Sequence, residues 1–131
     1  MVFLVACSST PKIDDSQISS QIQNYHDNDL KINVDEFMGL DILPLPAKNF
    51  FQVSDLVIVD KSISGDEATV IAHLKYTMLD VPPMESASGK ALAKYFGSYD
   101  FLNQTFEQER KFLFRQYESG TWRFEKELIT D

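Results

Sequence analysis

Two histidines, His26 and His73, are the only imidazoles in this 131-residue chain, and a general acid or base would be sought there first. His73 lies in an alternating run, ATVIAHLKYTML, from Ala68 to Leu79. Alternation puts it with Thr69, Ile71, Lys75 and Thr77, opposite the apolar set Ala68, Val70, Ala72, Leu74, Tyr76 and Met78. The expectation is therefore an outer, solvated His73 with no catalytic role. His26 is flanked by Asp27 and Asp29, which would raise its pKa if they came close. Its place after a short helical stripe predicts a helix-end histidine on the surface. Asp14-Asp15 and Asp27-Asn28-Asp29 offer oxygens to a cation, yet neither opens a twelve-residue calcium loop closed by Glu. One cysteine, Cys7, rules out an internal disulfide and any Cys/His zinc set. No serine or cysteine sits in a nucleophile motif. The reading is no catalytic residue, no metal and no cofactor, and the sequence names no reaction.

What remains for chemistry is a pocket. Tyr76, Gln108 and Arg110 fall on the same strand face as the apolar core residues, and Trp122 joins them from the last hairpin. One cation with several hydrogen-bonding groups suits a small anionic or amphipathic ligand. Glu107 and Glu109 alternate with Gln108 and Arg110 and read as the surface of an edge strand. A net charge of −8 argues against nucleic acid and supplies no basic patch for anionic lipid. With 44% hydrophobic residues the chain is globular rather than disordered, and its length suits one domain.

The elements that must position these groups can be read in order. Ile18, Ile22 and Tyr25 form one stripe of a helix, with Asp14 or Asp15 as its cap. His26 to Asp29 reads as a turn. Asn33 and Glu36 are spaced like a capping box, which predicts a second short helix carrying Val34, Phe37 and Met38 and ended by Leu43-Pro44-Leu45-Pro46. Phe51–Asp60 and Ala68–Leu79 read as strands about a turn containing Gly65. An insertion from Val81 to Gln104 holds a short helix with Leu92 and Phe96 on one face and Gly97 as its C-cap.

The run from Thr105 to Thr130 is the clearest hairpin. A three-residue loop at Ser119, Gly120 and Thr121 would place Phe112 opposite Leu128, Phe114 opposite Lys126, Gln116 opposite Phe124 and Arg115 opposite Glu125. That register gathers Phe112, Phe114, Trp122, Phe124 and Leu128 on one buried face.

Leu4-Val5-Ala6-Cys7 resembles the lipobox of bacterial lipoproteins: an apolar run, a small residue before the cut, then the polar Ser8-Ser9-Thr10-Pro11. The resemblance implies an acylated Cys7 as the first mature residue. With Ser8 rather than Asp following, it implies the outer membrane, the domain facing the periplasm. The apolar run is shorter than the roughly 20 residues that span a bilayer. It lacks a positive flank, so the gene's true start is expected upstream of Met1. Residues 1–7 are then signal remnant, 8–15 a polar tether and 16–131 one domain. Asn28-Asp29-Leu30, Gly65-Asp66-Glu67-Ala68-Thr69-Val70 and Gly120-Thr121-Trp122, in this order of elements, are similar to small secreted members of the NTF2-like (cystatin-like) families. That resemblance implies an α+β fold: N-terminal helices packed on a curved antiparallel sheet of about four strands, often enclosing a pocket. The family includes enzymes and non-catalytic binders. The expectation is thus an envelope lipoprotein, not an enzyme, that binds a small ligand or a protein partner. The alternatives are an immunity- or inhibitor-type lipoprotein directed at a periplasmic enzyme, and an NTF2-like pocket enzyme.

Overall fold

The computed structural model describes residues 14–36, 41–118 and 120–129. The lipobox with Cys7, the tether up to Ile13, and Phe37, Met38 and Ser119 lie outside the described residues. Helix α1 spans Asp15–Asn24 and is capped by Asp14, whose carboxylate accepts the Ser16 N–H at 3.0 Å. Ile18 and Ile22 are buried on its inner stripe, as the spacing predicts. The chain does not turn at His26. It continues as a π-helical turn, Tyr25–Asp29, closed by the Leu30 N–H on the Tyr25 carbonyl at 2.7 Å.

Two strands, β1 (Lys31–Glu36) and β2 (Asp41–Pro46), then pair antiparallel. The second helix expected here is absent, because the packing that decides it has a period of two. Ile32 and Val34 are buried while Lys31 and Asn33 are exposed, which overrides the capping-box spacing of Asn33 and Glu36.

The main sheet is an antiparallel meander of four strands, β3 (Phe51–Ser64), β4 (Glu67–Met78), β5 (Thr105–Gln116) and β6 (Trp122–Leu128), in sequential order. The class is α+β: two helices, a curved four-stranded sheet and the small two-stranded sheet. Every second residue of β4, from Ala68 to Met78, is buried, as the alternation predicts. Between β4 and β5 the insertion forms α2 (Ala87–Phe96), with Ser86 at its N-cap and Gly97 in the left-handed region at φ 76°. Gly89 lets this helix approach the preceding Pro83: a Cβ there would lie 2.1 Å from the Pro83 carbonyl oxygen.

The last hairpin departs from the expected register. Gln116 faces Trp122, Arg115 faces Arg123 and Phe114 faces Phe124, so the loop is two residues longer than expected. Beyond this the pairing shifts: Leu113 faces Lys126, Phe112 faces Glu127 and Lys111 faces Leu128. Glu125 is the extra residue of a β-bulge. Arg115 still binds Glu125, through Nε at 2.5 Å and Nη2 at 3.2 Å, because the bulge turns that carboxylate toward it. Trp122 is buried at 3% exposure. Trp122→Ala is expected to cost about 3–5 kcal/mol in urea unfolding; a loss below 1 kcal/mol would mean that the indole contributes no packing.

Candidate functional site

A bulge shifts side-chain parity, since alternation restarts one residue later. After Glu125 the inward position of β6 is therefore Glu127 rather than Leu128, which is half-buried on the other face. The result is a carboxylate 8% exposed in a core otherwise built of aliphatic and aromatic residues. An isolated buried charge is very costly, so it must be paired and fully hydrogen-bonded.

Three elements converge on it to do this. Arg110, inward on β5, donates from Nε to Glu127 Oε2. Tyr25, from the π-turn, donates its hydroxyl to Oε1 at 2.9 Å. Tyr95, from α2, donates to the same oxygen at 2.7 Å. Arg110 uses its other nitrogens on the Gln108 side-chain oxygen at 2.6 Å and the Tyr95 carbonyl at 3.1 Å, and its guanidinium lies 4.1 Å from the Tyr95 ring centroid. Gln108 donates to the Phe96 carbonyl at 2.8 Å. Arg110 and Gln108 thereby satisfy two of the carbonyls that the end of α2 leaves without helical partners. Burial pushes the Tyr25 and Tyr95 phenols far above their ordinary range, and the neighbouring carboxylate adds to it. Burial opposes the charge of Arg110, yet Tyr95 and Glu127 beside it raise its pKa overall.

His26 lies beside this network and corrects the expectation of a surface histidine. It is 3% exposed, one further helical step along the Ile18–Ile22 stripe, because the helix runs on through the π-turn. Nδ1–H donates to the Ile22 carbonyl at 2.9 Å, leaving Nε2 as an acceptor without a partner among the described residues. Asp27 does not raise its pKa above normal; that carboxylate is engaged by Gln23 at 3.2 Å, and desolvation holds the imidazole below its ordinary value. The buried Tyr76 hydroxyl also lacks a partner among the described residues, and the two rings are 5.9 Å apart.

The four expected pocket residues separate into two groups. Gln108 and Arg110 line a cleft of about 410 Å³, with Lys94, Tyr95, Phe96 and Gly97 on the α2 side and Lys111 and Leu128 at its head. Tyr76 is wholly buried beneath, and Trp122 sits near the far end of the hairpin; neither lines this cleft. Sequence reading missed Glu127, Tyr25, Tyr95 and His26. An inward Arg110 with no acid on its own face was the available signal that a carboxylate had to turn inward.

On the outer face His73 is partly exposed, as its parity predicts, and its Nε2 contacts Glu107. That contact holds the Glu107 carboxyl below its usual range. Glu107 and Glu109 belong to a strand that is central in the sheet order rather than to an edge strand, although β6 reaches only as far as Lys111. Among the described residues no group of histidines, cysteines and carboxylates could hold a metal ion, and no helix is long and apolar enough to cross a membrane. No protein-family model, curated protein or solved structure matches the chain.

Two outcomes test the network. Arg110→Met should cost about 3–5 kcal/mol in urea melts, because it strands Glu127, whereas Arg110→Met with Glu127→Leu should recover most of the loss. An additive double mutant would show that the two side chains do not act as a pair. The second outcome is pH-dependent. Above about pH 6.5, His26 is neutral in both folded and unfolded chains. Below that the unfolded chain takes up a proton that the buried imidazole refuses. Stability should then fall toward pH 5, by about 1.4 kcal/mol per pH unit at most, until the lowered folded-state pKa is reached. His26→Gln should flatten this window in melts at fixed ionic strength; an unchanged slope would assign it to other groups.

Proposed function

We propose that this protein is a lipid-anchored bacterial envelope protein with an NTF2-like domain, which binds a partner at the cleft between α2 and β5 and performs no catalysis. The observation that carries the reading is the state of the buried carboxylate. Glu127 accepts from Tyr25, Tyr95 and Arg110 at once. A carboxylate engaged by three donors in a packed core, and absent from the lining of the cleft, is poorly placed to reach a substrate proton. The same bonds lock Tyr95, Gln108 and Arg110 into a rigid wall along the cleft, and a preformed wall lowers the ordering cost of binding.

The anchor rests on Leu4-Val5-Ala6-Cys7 and the polar residues after it. Two or more acyl chains hold a protein stably at a membrane where a single chain does not. The acidic chain, at −8, adds no electrostatic attraction to anionic lipid, so the acyl chains would carry the whole attachment.

A second reading, the pocket enzyme, is favoured by one observation. Among the described residues, His26 Nε2 and the Tyr76 hydroxyl are buried polar atoms without partners, beside a buried carboxylate. Neither residue lines the cleft, so catalysis there would first require an opening through Tyr95 or Phe96.

Expressing the full gene from its native start and fractionating the cells tests the anchor. The protein should pellet with membranes, and Cys7→Ser should release it to the soluble fraction. A membrane-bound Cys7→Ser variant, or an unmodified Cys7 behind an intact Met1 in mass spectra, would sink the lipoprotein reading.

A further inference from the structure

A meander of four strands has two outer edges, and each offers main-chain groups to another chain unless it is blocked. Both outer edges here are interrupted over part of their length. β6 is covered by α1: the Gln21 side-chain amide donates to the Trp122 carbonyl at 2.9 Å and accepts the Phe124 N–H at 2.6 Å, taking the place of a neighbouring strand. β3 is broken by register shifts between Val53 and Asp55 and between Ile58 and Asp60. Its Asp55 carboxylate also occupies the Leu56 N–H at 3.0 Å, and Gln23 donates to the Val53 carbonyl at 3.4 Å.

A third edge is left open. β5 begins at Thr105, but its pairing with β6 starts only at Lys111. The β4–β5 ladder runs without a bulge, and its ends set the direction of every main-chain group. Met78 N–H donates to the Gln104 carbonyl and Gln116 N–H to the Asp66 carbonyl, both at 2.7 Å. Even-numbered residues of β5 therefore turn their N–H and C=O toward β4, and odd-numbered residues turn theirs away. Thr105, Glu107 and Glu109 thus present three donors and three acceptors beyond the end of β6, with no strand opposite them among the described residues. The cleft lies beside this edge, lined by Gln108, Glu109, Arg110 and Leu128.

We propose that this edge takes up an extended segment of a partner protein, added antiparallel to β5 as a continuation of β6, with lysine or arginine at the positions opposite Glu107 and Glu109. Main-chain bonding supplies the affinity and alternate side chains the selectivity. Glu109 is exposed and has no ion-pair partner among the described residues; Glu107 shares its charge with His73. Directly opposed residues lie close enough for charge to discriminate. The intervening residue of the partner would face Gln108 and rest against Tyr95, where an apolar side chain fits. The chain's charge of −8 steers cationic segments toward it. This inference rests on the binding reading above and specifies its ligand.

The test is NMR on the full chain, using the capped peptide acetyl-Lys-Val-Lys-Val-Lys-amide, its Glu-Val-Glu-Val-Glu counterpart, and a version of the first N-methylated on its valines and another on its lysines. In the free protein the amides of Thr105, Glu107 and Glu109 should exchange quickly, while those of Phe106, Gln108 and Arg110 are protected. The lysine peptide should slow exchange at the three odd positions; the glutamate peptide and the version N-methylated on its lysines should not, while the version N-methylated on its valines should still bind. Glu109→Lys should weaken the lysine peptide roughly ten-fold, through lost attraction and new repulsion, and strengthen the glutamate peptide. Glu109→Pro, which removes an outward N–H together with the carboxylate and leaves the hydrogen bonds to β4 in place, should abolish binding of both peptides. Protection of the three odd amides in the free protein would mean that this chain already covers its own edge and would overturn the proposal. So would equal binding of the two charge types, or binding unaffected by N-methylation of the lysines. If the lysine peptide fails while Cys7-dependent membrane attachment holds, only strand addition falls; if the peptide binds but Cys7→Ser remains on the membrane, only the anchor falls.

Discussion

The ion pair between Arg110 and Glu127, at 9% and 2% side-chain exposure, dictates more of this architecture than any apolar contact does. Bringing two such charges out of water costs several kcal/mol each, and one charge-assisted hydrogen bond returns about 1.5–3 kcal/mol. A single contact therefore cannot hold them. Glu127 needs further donors and Arg110 further acceptors, and each comes from a different part of the chain. Tyr25 reaches Glu127 only because α1 runs on as a π-turn. Tyr95 reaches it only because the insertion between β4 and β5 folds as a helix ending at Gly97. Features that look local, such as a π-turn, a bulge at Glu125 and an inserted helix, are thereby coupled through one carboxylate.

The regular parts of the fold were legible because they follow simple periods. Alternation in β4 marked Ala68 to Met78 as core and His73 as outer, and Gly97 marked the end of α2. The hairpin register was not legible, since a bulge leaves no period of its own. Both the expected and observed pairings bury Phe112, Phe114 and Trp122, and the faces taken by Lys126, Glu127 and Leu128 separate them. Hydrophobicity favours Leu128 inside. The need of Arg110 for a counter-charge favours Glu127, and the buried acid shows which requirement prevailed. At β1 two buried residues, Ile32 and Val34, were too short a run to reveal strand periodicity against a capping-box signal. His26 was misjudged because Asp27, Asn28 and Asp29 look like a turn, whereas the backbone carries one more buried helical step before it turns.

The candidate site was partly legible for the same reason. Gln108 and Arg110 could be assigned inward by counting from the core, and both do line the cleft. Tyr76 shares their parity but lies deeper, against Phe51, Phe96 and Phe106, where parity says nothing about depth. Tyr95 and Glu127 could not be joined to the site from sequence, because one depends on how the insertion folds back and the other on the bulge.

The closed network and the open edge meet at Arg110. Inside, the polar groups of Arg110, Glu127, Tyr25 and Tyr95 are bonded to one another and held by packed rings, so this wall has little freedom left to lose. Immediately beyond, β6 ends and the main chain of β5 from Thr105 to Glu109 has no strand opposite it among the described residues on the side away from β4. Elsewhere the sheet interrupts its margins with Gln21, Asp55 and two register shifts. A margin left uncovered beside this hydrogen-bonded wall combines ordered hydrogen-bonding groups with a low ordering cost, and those two properties together favour strand addition over simple surface contact.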